Sequence, residues 1–250
     1  MLDSFSLRDY IATFNGYGDY RAKYWFVGME EGGGSSLEEI TRRFANWETQ
    51  DKGELSDLVS PQSNSGLSHS ARRSTKLQTT WSQLIRIVLA SEDKPTDNAS
   101  VRAYQQSKLG RVGGETCLLE LMPLPSPSAG RWLYNEYSSL PELRSRDEYM
   151  EHYAASRVCR LRAIIEAHKP PVVVFYSLGY MKWWKQIAGV ELNLIAIGDV
   201  RSFFGRNEHT NFFVVPQPSA PMKGKGNAYY VQVGKAIAAS LQSWRAEDTA

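Results

Sequence analysis

Residues 24–36 read YWFVGMEEGGGSS: an apolar run, a glycine, two glutamates, three more glycines and a Ser-Ser pair. Consecutive apolar residues fit a strand buried on both faces, and such strands belong to parallel sheets covered by helices. A glycine-rich turn after such a strand, followed by a helical pattern, presents backbone N–H groups and polar side chains at the carboxyl end of a sheet. Near the other end of the chain, Phe212–Ala220 reads FFVVPQPSA and has the same strand-then-polar-loop character. Two such loops suggest a cleft between strand ends.

The rest of the chain fills in an alternation. Residues 3–14 predict a helix with Leu7, Tyr10, Ile11 and Phe14 on one face. Ser36 opens the next helix, with Glu39 completing a capping box and Leu37, Ile40, Phe44 and Trp47 forming its apolar stripe. Residues 51–73 read as a long polar loop. Amphipathic helices follow over 77–89 and 98–109, the second closed by Gly110. Thr116–Met122 is the second strand, with Glu120 where it should end and a stiff Pro/Ser loop beyond. A helix from Ser145 to His168 stops at Pro170-Pro171. Val172–Tyr176 is the third strand, and a helix carrying Met181, Trp183 and Trp184 follows Gly179. Leu194–Ile197 and Phe203–Phe204 read as short extended pieces. Phe212–Pro216 is the fourth strand, and a helix over 228–244 ends the pattern. This order predicts a three-layer α/β/α fold with a four-stranded, mainly parallel sheet. No repeat or linker divides it, so residues 1–250 are expected to form one domain.

Composition narrows the class. A net charge of +2 does not argue for nucleic acid. Its distribution is more telling. Residues 60–91 hold Arg72, Arg73, Lys76 and Arg86 and no acid, while residues 200–244 set five basic residues against Glu208. Gly28–Asp57, by contrast, carries Glu30, Glu31 and six further acids. Basic regions around an acidic loop suit a polyanion held beside a carboxylate. Cys117 and Cys159 are the only cysteines and read as buried free thiols, and two thiols exclude a four-thiolate metal centre within one chain. The N-terminus has neither a signal-peptide core nor a membrane span, so a cytoplasmic protein is expected.

Four segments in order resemble the uracil-DNA glycosylase superfamily. VGMEEGG is similar to its first motif, LLELMPLPS to the strand carrying the base-reading asparagine, PPVVVFYSLGYMKWW to its VVVALG strand and helix start, and VVPQPSA to its second motif. The match runs from about Tyr24 to Trp244. It departs at informative places. Gln217 stands where the family has histidine, Glu120 corresponds to the strand-end asparagine, and Glu30 takes the water-activating position with Glu31 in the usual proline place.

The resemblance implies excision of a flipped base from DNA by an enzyme acting without a cofactor, as a monomer. Breaking an N-glycosidic bond builds positive charge on the sugar and negative charge on the departing base. Glu30 is the first candidate to orient water and stabilise the sugar cation, with Glu31 the second. Gln217 can donate to a pyrimidine O2. Gly28, Met29, Glu120 and Ser219 complete the expected base pocket. Ser126, Ser219, Lys223, Lys225, Arg72 and Arg73 are candidates for the DNA backbone, and Met222 for a wedge into the base stack. An ionised Glu120 accepts from the N4 amine of cytosine and repels uracil O4, which points to a modified, bulky, cytosine-type base such as viral DNA contains. Glu120 could also be neutral in a buried site, or form a structural ion pair. The alternative function is a non-catalytic binder of modified bases or DNA on the same scaffold. A phosphate cradle at Gly32–Gly34 is weaker, because the segment lacks a P-loop lysine and carries two acids.

Overall fold

The computed structural model describes residues 1–58, 77–128 and 130–247. Arg72 and Arg73 lie outside the described residues. The chain is an α/β protein built on one mixed sheet. In chain order the elements are α1 (Ser4–Thr13), β1 (Gly16–Gly18), β2 (Tyr24–Gly32), α2 (Leu37–Glu48), β3 (Leu55–Ser56), α3 (Thr79–Ser91) and α4 (Asn98–Ser107). Next come β4 (Thr116–Ser126), α5 (Tyr134–Tyr137), α6 (Arg146–His168), β5 (Val172–Tyr176) and α7 (Met181–Ala188). The hairpin strands β6 (Asn193–Ile197) and β7 (Val200–Arg206), then β8 (Asn211–Val215) and α8 (Asn227–Glu247), complete the chain.

Among the described residues the sheet has eight strands in the order β3-β1-β4-β2-β5-β8-β7-β6, which corrects the expected four-stranded, mainly parallel sheet. The four strands read from the sequence are the central ones, and β4, β2, β5 and β8 run parallel to one another. The additions flank them. β1 is antiparallel to β4, and the β6–β7 hairpin extends the other edge antiparallel to β8. These edge strands carry weak sequence signals: β1 and β3 are three and two residues long, and β6 is mostly exposed. The central strands are apolar because both their faces are covered, and β5 and β8 are buried throughout.

Three local features position the site. First, β4 runs on through Pro123 and Pro125 to Ser126, so Glu120 lies mid-strand and the stretch read as a loop is largely strand. Second, β2 pairs with β4 from Tyr24↔Thr116 to Glu30↔Met122, and the register then shifts before Gly32↔Ser126. That irregularity bends the strand end where the glutamates stand. Third, the chain passes from β2 to β4 on one side and then back across to β5 on the other. Such a reversal opens a crevice at the carboxyl end of the strand where it occurs.

Helix termini follow their sequence signals. The Ser36 hydroxyl accepts from Glu39 N at 3.2 Å to start α2, and Ser145 accepts from Glu148 N at 3.1 Å to start α6. A fully buried cation then ties α6 to the sheet. Arg157 donates to Leu121 O at 2.9 Å, Glu120 O at 3.0 Å, Ile11 O at 3.3 Å and Asn15 Oδ1 at 2.9 Å. Burial lowers its pKa to about 10, and these four acceptors supply the polar partners that a buried guanidinium needs. Cys117 is buried, but Cys159 is exposed on α6, against the expectation of two buried thiols. Among the described residues, no helix is long and apolar enough to cross a membrane.

Candidate active site

A cavity of about 910 Å³ opens at the carboxyl ends of the central strands. Met29, Glu30, Glu31, Glu120, Ser126, Gln217 and Ser219 all line it. Residues more than 180 positions apart in sequence thus meet in one cavity, because β2, β4 and β8 run in the same direction.

The two glutamates of β2 have different partners. The hydroxyl of Tyr17 donates to both oxygens of Glu31, at 2.9 and 3.0 Å, and Arg43 Nη1 lies 2.8 Å from Oε1. Arg43 also reaches Glu39 Oε1 at 2.9 Å and Gly32 O at 3.3 Å. Glu31 is therefore engaged on both oxygens in a buried network that braces the glycine-rich loop. Among the described residues Glu30 has one charged partner, Arg146, whose Nε sits 2.9 Å from Oε1 and 3.0 Å from Oε2. Burial raises the pKa of both glutamates above the ordinary 4.5, against the pull of their arginines. With its oxygens less fully engaged, Glu30 is the better placed of the two to act on a bound molecule.

Glu120 sits in register with Gly28 of β2. Its Oε1 accepts from the Tyr176 hydroxyl at 3.0 Å, while its buried Oε2 has no hydrogen-bond partner among the described residues. No cation pairs with it there, so the structural ion pair held open for this position is absent among the described residues. Burial pushes its carboxyl well above the ordinary value, and the nearby charges of Glu31 and Glu30 push it the same way. Both effects favour the neutral acid over the carboxylate, and a neutral acid offers both a donor and an acceptor.

The opposite wall is a polar loop. Gln217 Nε2 donates to Ser219 Oγ at 3.1 Å. Lys225, expected on DNA phosphate, instead donates to Pro218 O at 3.2 Å and to Gln217 O and Ala220 O. Its ammonium is held by the carbonyls of its own loop. Ser126 likewise turns its hydroxyl to Ser128 O at 2.9 Å and Arg131 O at 3.0 Å. Lys223 is exposed, as is Met222 at 46%.

The glycine loop offers no phosphate cradle. Glu39 Oε1 accepts from Gly34 N at 2.9 Å, and its Oε2 accepts from Ser35 N at 2.9 Å and Ser35 Oγ at 2.8 Å. Although burial acts to raise it, these donors hold Glu39 down at about 2. The N–H groups of Gly34 and Ser35, which a phosphate there would use, already face a carboxylate. Among the described residues, no group of three or more His, Cys, Asp or Glu side chains is arranged to hold a metal ion.

Sequence reading missed Tyr17, Arg43, Trp81, Arg146, Tyr176 and Tyr180. All but Tyr17 line the cavity, and Tyr17 reaches the network through Glu31. Only Tyr176, the last residue of a predicted strand, carried a signal, since strand ends are where such sheets place function. No protein-family model and no curated protein sequence matches the chain.

Proposed function

We propose that this protein is a monofunctional DNA glycosylase on a uracil-DNA-glycosylase-like α/β/α scaffold. It acts as a cytoplasmic monomer, flips a modified pyrimidine out of DNA and hydrolyses its N-glycosidic bond, leaving an abasic site. One observation carries this reading: Glu30, Glu120 and Gln217 converge on one cavity of about 910 Å³ at the carboxyl ends of parallel strands. That volume lies within the usual range for small-molecule sites.

Each group has a task. Glu30, kept beside a guanidinium, orients the attacking water and stabilises the sugar cation. Gln217 donates its amide to the pyrimidine O2. Glu120 reads the opposite edge. With Tyr176 donating to Oε1, the proton of the neutral acid belongs on Oε2. Oε2–H then meets ring N3 and Oε1 accepts from the N4 amine, the edge of a cytosine-type base. Bulky modified cytosines, as in viral DNA, are the substrate class, and antiviral defence is the setting. Met222 and Lys223, both exposed, contact the stack and the backbone.

The deciding experiment incubates the protein with DNAs bearing uracil, thymine mismatches and modified cytosines. Alkali cleavage and mass analysis then report abasic sites and released bases. Release of a cytosine derivative supports the proposal. A retarded DNA complex without product would replace it with the binder reading.

A further inference from the structure

We propose that Arg146 is the positioning residue of this site, holding the Glu30 carboxylate ionised and oriented before substrate arrives. The inference rests on reading Glu30 as the reacting carboxylate. Arg146 begins α6, 116 positions from Glu30 in sequence, and both side chains are largely withdrawn from water, at 19% and 10% exposure. Its Nε is shared between the two Glu30 oxygens at 2.9 and 3.0 Å, and Nη2 donates to the Tyr180 hydroxyl at 3.3 Å. The guanidinium is therefore anchored from a second side by a group outside β2.

A carboxylate drawn out of water takes up a proton unless a cation opposes it. The groups around Glu30 are few. Glu31 on β2 is countered by Arg43 of α2, and Glu120 on β4 has the same sign when ionised. Tyr149 of α6 is a buried neutral phenol, and Tyr180 faces Arg146. Among the described residues, Arg146 alone opposes protonation of Glu30 directly. Without it, the burial that already raises the Glu30 carboxyl would act unopposed, favouring its protonation, and its carboxyl plane would be free to turn.

The test needs no substrate. Glutamate carboxyl carbons are isotope-labelled and titrated by NMR, with the Glu30 signal assigned by its loss in Glu30→Gln. Arg146→Met and Arg146→Gln should each move the Glu30 titration up by about 1–3 pH units, so that the ionised fraction falls tenfold or more at a given pH below it. Arg146→Lys keeps the charge on a single donor and should move it by less. Arg146→Lys also carries the test if the uncharged variants do not fold. A Glu30 titration unchanged in folded variants overturns the proposal. On a cleaved DNA, the acid limb of the pH–rate profile should move up with the titration while KM stays nearly constant. A lower rate with an unmoved limb would make Arg146 merely structural. Failure of the unmodified protein to release any base would overturn the glycosylase reading instead, and the titration would still decide what Arg146 does to Glu30.

Discussion

Tyr176 and Glu120 meet across Gly28: the tyrosine hydroxyl donates to Glu120 Oε1 at 3.0 Å over a residue with no side chain. A Cβ built on Gly28 falls inside van der Waals contact with both the Tyr176 hydroxyl and Glu120 Oε2. The glycine is there because β5 and β4 reach over β2 to join their side chains. Gly28→Ala should separate the pair, lower stability by about 1–3 kcal/mol as overpacking does, and cost the site its base preference. Thermal melting and a competition between modified cytosine and uracil DNAs measure both. Unaltered preference would mean that the pair does not read the base.

Glu30→Gln keeps the volume and removes the charge. Base release should fall by about 10²–10⁴-fold, the usual contribution of a positioned acid–base group, with DNA affinity nearly unchanged. The pH dependence has a definite sign. Burial raises the Glu30 pKa above 4.5, so in the unmodified protein the active ionised form is lost as pH falls through that raised value. Single-turnover rates against pH should show an acid limb above the ordinary glutamate range. Full activity in Glu30→Gln would move the role, first to Glu31.

Glu120 makes a prediction about stability that is independent of any reaction. Its folded-state pKa is raised well above the unfolded value near 4.5, first by burial. Such a group contributes its full stability below the unfolded value and loses it as pH rises through the folded one. The isosteric neutral Glu120→Gln escapes that loss. Its unfolding free energy relative to the unmodified protein should therefore climb with pH from about 4.5 upward, by at most about 1.4 kcal/mol per pH unit within the window, as read by melts over a pH series. A difference that stays flat across the range would show that Glu120 is not a buried acid.

The two lysines of the last loop should separate. Lys223 is exposed, and Lys223→Ala should weaken DNA binding uniformly across sequences and reduce the salt slope by about one. Lys225 grips the carbonyls of Gln217, Pro218 and Ala220, so Lys225→Ala should loosen the loop, reducing base release while leaving the salt slope intact. Affinities measured over a series of salt concentrations decide it. Equal slopes for both variants would return Lys225 to the DNA.

Much of this was legible in the chain itself. The apolar runs at 24–27, 172–176 and 212–215 had to be buried strands, and their alternation with amphipathic helices made them parallel. Parallel strands put their carboxyl ends on one side, so the loops carrying Glu30 and Gln217 were expected at one cleft, while Glu120 joined them only through the resemblance to the glycosylase motifs. Ser36 and Ser145 announced their helices because a cap is a contact three residues long. The tertiary structure alone decided the partners. Tyr17 reaches Glu31 from 14 positions away, Tyr176 reaches Glu120 from 56 and Arg146 reaches Glu30 from 116, and no local pattern marks such pairs. It also decided which of two adjacent glutamates keeps a freer face, and that Lys225 turns inward. Periodicity reports what a residue's own segment must bury. The charge state and freedom of a buried side chain depend on groups that other segments bring to it, and those meet only when the chain has folded.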